Sequence, residues 1–387
     1  MGKIWSENKW MDLAISVLLF LTGINFFHYG QLILPVVCLL IFIDRKFRFK
    51  VSDPKVFILL CLFAVGFYAF SQPVFYSVMG FCCPMAYYIG SNVYQTDEKK
   101  IRKMIYLLAI AMGTHIILNM VYELQISNLD HLINSSSHYD FWTRDRMSST
   151  ALALDLDLLI GSLYYLLLHE KNSMIRWIGS IVFAAGIFFC LVSGRRTQVL
   201  LTAICLLVSF LFETFIEKNI SGERRRRLIR TVCILFGIAA FLAVCFIFDL
   251  FGITKLFNNY YIIEKLKRGL IDSERLKLFL KGISLMPYHL WGKQEISGIL
   301  GLQIHDLWMD IYDYAGIVPY LLFLIYSVFS LKKIIDVLRN GSLTDRVLYL
   351  GVCLCIILQM FLEPVMTGSS LFLMVSIIVL TAIGDVK

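Results

Sequence analysis

Apolar runs recur through almost the whole chain, and the lengths of these runs constrain its fold more than any other feature. Candidates lie near residues 11–27, 30–43, 56–70, 73–94, 104–123, 148–168, 176–193, 197–216, 231–250, 309–330, 347–363 and 368–384. A helix needs about 20 residues to cross a hydrocarbon core of about 30 Å. The pattern therefore predicts an all-α polytopic membrane protein of about twelve transmembrane helices, with residues 1–387 forming a single integral membrane domain. Composition agrees. Charged residues make up 17% of the chain and hydrophobic ones 58%, whereas a soluble domain carries about 25% charged residues. The net charge of +8 does not point to nucleic acid, because most Lys and Arg lie in short segments between apolar runs.

Those basic residues predict an orientation. With the N-terminus inside, 24 of the 36 Lys and Arg fall in inner segments, following the positive-inside bias. Both termini are then cytoplasmic, and the first apolar run is expected to remain uncleaved, since no small-residue cleavage pattern follows it. Two outer segments are long, residues 124–147 and 251–308. Within the second, SERLKLFLKGISLM places Leu276, Phe279, Leu280 and Ile283 at helical spacing, as in an amphipathic helix lying on a membrane surface. The GERRRRLIR segment at 222–230 is read as a topology determinant that binds anionic lipid. The ten cysteines lie in or beside apolar runs with no CxxC spacing, which fits buried thiols better than a metal site or a disulfide framework.

Charged residues at the edges of apolar runs are the candidates for chemistry. In CLVSGRRTQVLL, Arg195 and Arg196 stand together on the outer side, against the positive-inside trend. Either they snorkel to headgroups or they hold an anion, since guanidinium is permanently charged and matches phosphate oxygens in pairs. Arg144 and Arg146 are phosphate contacts or interfacial anchors. Arg275 is a surface arginine of the amphipathic helix or a second anion contact. His305 stands where the long outer segment meets a helix, and its ordinary pKa suits it to general-base work. Its neighbour Asp306 either orients a substrate or caps that helix. Asp155 and Asp157 lie about 10 Å inside an apolar run. Two residues apart on a helix, they cannot share one face, so at most one lines a site. No metal-ligand spacing and no nucleotide-binding fingerprint occurs, so no metal and no cofactor is expected.

Three segments together resemble the bacterial O-antigen ligase and polysaccharide polymerase superfamily. VSGRRTQVLL resembles its SGSRTA-like segment, DSERLKLFLKGISLMPYHLWGK its outer-loop arginine and amphipathic helix, and IHDLWMDIYDYAGIVPYL the histidine segment leading out of that loop. The resemblance implies a GT-C-like glycosyltransferase architecture with one large extracytoplasmic loop, in the bacterial inner membrane. It also implies a Wzy-type polymerase that joins undecaprenyl-pyrophosphate-linked oligosaccharides by inverting, metal-independent transfer into capsular, exopolysaccharide or O-antigen chains. Carried over by position, Arg196, Arg275 and His305 are the catalytic candidates. Arg195, Arg146, Asp155 and Asp306 are candidates for substrate binding. The implied partners are lipid-linked oligosaccharide donor and acceptor, the bilayer, a flippase and a chain-length regulator, with no nucleic acid. A ligase of the same superfamily and a lipid-linked-oligosaccharide flippase are the alternatives.

Overall fold

The computed structural model describes residues 9–71, 79–92, 97–127, 131–132, 135, 137–216, 222, 226, 273–302, 306–340, 344–363 and 365–386. These form an all-α bundle with one small β-hairpin. Its helices are α1 (Lys9–Gly23), α2 (Leu34–Asp44), α3 (Pro54–Phe70), α4 (Cys82–Asn92), α5 (Glu98–Ile126), α6 (Ser149–Leu154), α7 (Asp157–Leu168), α8 (Ser173–Val192) and α9 (Arg196–Leu211). After these come α10 (Ser273–Leu285), α11 (Glu295–Leu300), α12 (Leu307–Ala315), α13 (Ile317–Arg339), α14 (Arg346–Leu362), α15 (Val365–Gly368) and α16 (Ser370–Gly384).

The expected twelve transmembrane helices, and the GT-C-like architecture built on them, are corrected here. Among the described residues, four helical stretches are long and apolar enough to cross a membrane: Glu98–Ile126, Ser149–Leu168, Ser173–Val192 and Arg196–Ile216. Of the other runs, some form single helices of 17 residues, as α3 and α14 do, and others are broken by the backbone. The run at 11–27 stops at Gly23 because Asn25, Phe27 and His28 adopt positive φ. The next run is spent partly on a 3-10 turn, Gly30–Ile33, before Pro35 opens an α2 of 11 residues. The run at 309–330 breaks at Gly316, whose φ of 80° ends α12 and starts α13 at a new angle. An added Cβ there would lie 2.4 Å from the Leu290 carbonyl oxygen, so both the conformation and the space require glycine. The run at 231–250 lies outside the described residues.

At the centre of the bundle is the stretch through α6 and α7. Its apolar window is 89% buried, against 28% for α8 and 33% for α9, so α7 is apolar on all sides while its neighbours keep exposed stripes. The α7 helix packs on α14, α9 and α5, and α16 packs on α4. Where α7 crosses α14, Gly161 and Gly351 let the backbones meet. A Cβ on Gly161 would lie 2.6 Å from Val352 Cα, and one on Gly351 would lie 2.2 Å from the Gly161 oxygen. Close approach through small residues is how helices associate where apolar burial gives little preference.

Polar clasps close the far end of α7. Arg102 of α5 donates to both Asp345 oxygens at 2.8 and 2.9 Å, and the Tyr165 hydroxyl donates to the same carboxylate at 2.5 Å. The Tyr164 hydroxyl donates to Glu213 at 2.7 Å.

Candidate functional site

Arg195 and Arg196 stand at the start of α9. The preceding helix α8 ends in a tight turn in which Gly194 takes φ 67° and the Arg195 N–H bonds the Cys190 carbonyl at 2.7 Å. That turn sets Arg195 at the N-cap position without a side-chain cap. The start of α9 therefore lies beside two guanidinium groups. A helix start already carries partial positive charge, so the pair concentrates positive potential where an anion is favoured. Both arginines are half-buried.

The Arg195 guanidinium is fixed in place by α6. Its Nη1 donates to Thr150 Oγ1 at 2.6 Å and its Nη2 to Ser149 Oγ at 2.7 Å. Both hydroxyls are available at this position because the Ser148 side chain caps α6, accepting from the Ala151 N–H at 3.1 Å. Six residues later α6 ends at Asp155, where a break separates it from α7. Asp155 faces α5, and the His115 ring contacts its Oδ2 through Nδ1 at 2.7 Å. Of the two buried carboxylates, Asp155 therefore belongs to this polar region. Asp157 is buried beyond the break, toward Cys205 and Glu363.

Sequence reading missed the remainder of the network. His115, Asn119 and Glu123 are all fully buried and lie four residues apart, on one face of α5. That spacing was the available signal. The hairpin Ser137–Tyr139 and Arg146–Ser148 (β1 and β2) folds against this face. Its Tyr139 N–H donates to Glu123 at 2.8 Å, and the adjoining Phe141 N–H donates to Asn119 at 2.7 Å. Asp140, in the connecting turn, accepts from the N–H groups of Trp142 and Thr143, each at 2.8 Å. Its other oxygen lies 3.5 Å from His115 Nε2 and 3.4 Å from His28 Nδ1.

Burial opposes ionisation of Asp140, yet bonds from His115, His28 and the Thr143 N–H outweigh it and hold the carboxyl well below its usual range. His138 behaves differently. Burial, with the charges of Arg195 and His131, outweighs Glu123 and lowers its pKa to about 4, leaving a neutral ring against Phe189. The result is a buried polar seam that joins α5, the hairpin, α6 and the start of α9.

The other candidates fall elsewhere. Arg146 is exposed on β2, its guanidinium 5.5 Å from the centre of the Tyr139 ring. Asp306 is buried as the N-cap of α12, accepting from the Met309 N–H at 2.9 Å. That bond accounts for its position as a helix cap. His305 lies outside the described residues. So does the side chain of Arg275, whose backbone belongs to α10. No family model matches this chain, and no curated protein matches it in sequence.

Proposed function

We propose that this protein transfers oligosaccharide from a polyprenyl-pyrophosphate carrier to a sugar hydroxyl at a membrane surface, as a Wzy-type polymerase. The observation that carries this reading is the arginine pair at the uncapped start of α9, with the Arg195 fork held on Ser149 and Thr150. In such a reaction the bond between the anomeric carbon and the pyrophosphate oxygen breaks while the acceptor oxygen bonds that carbon from the opposite face. Negative charge grows on the departing pyrophosphate. Preorganised cations and helix N–H groups in a partly dry site stabilise that charge without reorganising during the reaction. The acceptor proton goes to His305, the base that the motif resemblance suggests. Arg196 and Arg275 are the catalytic cations in this reading, with Arg195 and Asp155 shaping the donor site.

The setting proposed is the bacterial cell membrane, with this face extracytoplasmic and both termini cytoplasmic. Flippase and chain-length regulator proteins would supply the donor and limit the product. A ligase of the same superfamily would use the same donor site. The buried His115–Asp155 pair favours a further reading, lipid-linked-oligosaccharide transport, because intramembrane ionisable groups commonly mark a substrate or proton path.

One experiment separates these readings. Purified protein in lipid is given a synthetic undecaprenyl-pyrophosphate oligosaccharide with EDTA present, and products are resolved on a gel. A ladder that Arg196→Ala and Arg275→Ala abolish supports the polymerase. Movement of intact substrate between leaflets without a ladder replaces it with transport. A requirement for metal overturns the role given to the arginines.

A further inference from the structure

A cavity of about 400 Å³ opens between α2, α3 and α4, lined mainly by Leu39, Phe42, Phe49, Phe57, Cys61 and Met85. Its size lies within the ~300–1,000 Å³ range of small-molecule sites, and its walls are aromatic rings, aliphatic chains and thiols. The helices beside it carry apolar stripes that are exposed among the described residues. Val36, Leu39 and Ile43 are exposed along α2, and Ile58, Leu62 and Val65 along α3. Such stripes at helical spacing suit contact with lipid chains. The cavity interrupts that lipid-facing surface with a recess.

Its mouth is basic. The segment from Arg45 to Lys50 reads RKFRFK, and it delivers Phe49 to the cavity wall. It is a built turn: Lys46 and Phe47 take φ 53° and 61°, the Phe47 N–H bonds the Phe42 carbonyl at 2.9 Å, and Asn92 donates to the Lys50 carbonyl at 2.8 Å. The Phe49 ring stacks on Tyr88 at 4.9 Å with an interplanar angle of 4°. Lys46, Arg48 and Lys50 are exposed around it, and so are Phe47 and Phe49. Cations beside interfacial aromatics are the arrangement that retains acidic headgroups. The nearby carboxylates are Asp44, beside Arg45, and Asp53, which caps α3 by accepting from the Lys55 N–H at 3.0 Å.

We propose that this recess binds one acyl chain of an anionic phospholipid, whose phosphate and headgroup sit on Lys46, Arg48 and Lys50. An apolar slot, with three exposed cations on the turn that supplies Phe49 to its wall, matches the two ends of that molecule. The inference rests on membrane association alone and is independent of glycosyl transfer.

The test is native mass spectrometry of the full chain, purified in detergent and incubated with phosphatidylglycerol or phosphatidylcholine. The expected result is one phosphatidylglycerol retained in preference to phosphatidylcholine. Lys46→Gln, Arg48→Gln and Lys50→Gln should each weaken retention about fivefold. Cys61→Phe and Leu39→Trp, which fill the recess, should abolish it. The three glutamine variants change exposed side chains, so they remain informative if a cavity-filling variant fails to fold. Equal retention of the two lipids would overturn the proposal, as would phosphatidylglycerol binding that survives both kinds of substitution. Displacement of phosphatidylglycerol by undecaprenyl phosphate, but not by a second phospholipid, would overturn it by assigning the recess to a polyprenyl chain.

Discussion

Thr150→Val deletes the hydroxyl that accepts from Arg195 Nη1 at 2.6 Å and keeps the shape of the side chain. Hydrogen bonds to charged groups contribute about 1.5–3 kcal/mol. Thr150 is half-buried and Ser149 Oγ still holds Nη2 at 2.7 Å, so water takes up part of the loss and the lower end of that range applies. With ~1.4 kcal/mol per factor of ten, the expected fall in chain-growth rate is roughly tenfold. The double variant Ser149→Ala/Thr150→Val frees both arms of the fork and should approach the rate of Arg195→Ala. Thr150→Ser, which restores the hydroxyl, should return near to wild type. The assay is the initial rate of ladder formation from the lipid-linked donor, with the affinity for that donor measured in parallel and folding checked by the unfolding midpoint. A wild-type rate in the double variant would refute the claim that a fixed Arg195 assists the leaving group. A lower unfolding midpoint with unchanged kinetics would reduce the contact to a structural one.

Three further outcomes are expected from the surrounding structure. Asp345→Asn leaves Arg102 with only Glu170, 3.7 Å from its Nε, as a carboxylate partner. Breaking a buried pair costs about 3–5 kcal/mol, and the 24% exposure of the Arg102 side chain puts the loss at the low end, readable as a lower unfolding midpoint in detergent. Asp140 has a depressed folded-state pKa, so its contribution is complete above the ordinary carboxylate pKa of about 4 and is lost as pH falls through the lower folded value. Hydrogen exchange across residues 137–148 should therefore stay flat from neutral to mildly acid pH, whereas Asp140→Asn opens the hairpin throughout; progressive loosening of the wild type over that range would contradict this. Asp306 shows the opposite sign. Burial, opposed by N–H bonds from Met309 and Trp308, pushes its pKa up to about 6, so stability falls as pH rises from about 4 to 6 and is level above. Asp306→Asn should remove that slope while keeping the cap, and Asp306→Ala should cost about 1 kcal/mol, both read from unfolding midpoints across pH.

The four long apolar stretches were legible from their length, although the one at 149–168 hides a backbone break at Asp155 and Leu156. Residues 98–126, 149–168, 173–192 and 196–216 lack internal proline and keep apolar residues for the length of a span. Some of the other runs misled because apolar composition is blind to backbone breaks, and others, such as those of α3 and α14, because they form single helices of only 17 residues. Asn25 in the left-handed region and Gly316 at a backbone crossing both lie in stretches that hydropathy reads as continuous. Arg195 announced itself as a charge in an apolar context, and its contact with Ser149 and Thr150 depends on the α8–α9 turn, which no local pattern encodes. The His115, Asn119 and Glu123 face was present in the spacing, but its partner Asp140 comes from a turn that only the tertiary fold brings to α5. Asp306 could be read as a cap or a ligand, and the accepted Met309 N–H shows the cap.

The break between α6 and α7 has a positional meaning. The α7 helix meets α14 at Gly161 and Gly351, where there is no room for a Cβ between the two backbones. The α6 helix is six residues long and is joined to α7 only through the turn at Asp155 and Leu156. The hydroxyls that hold Arg195 sit on this short segment, so the orientation of the guanidinium is set ahead of the break, apart from the close crossing of α7 and α14.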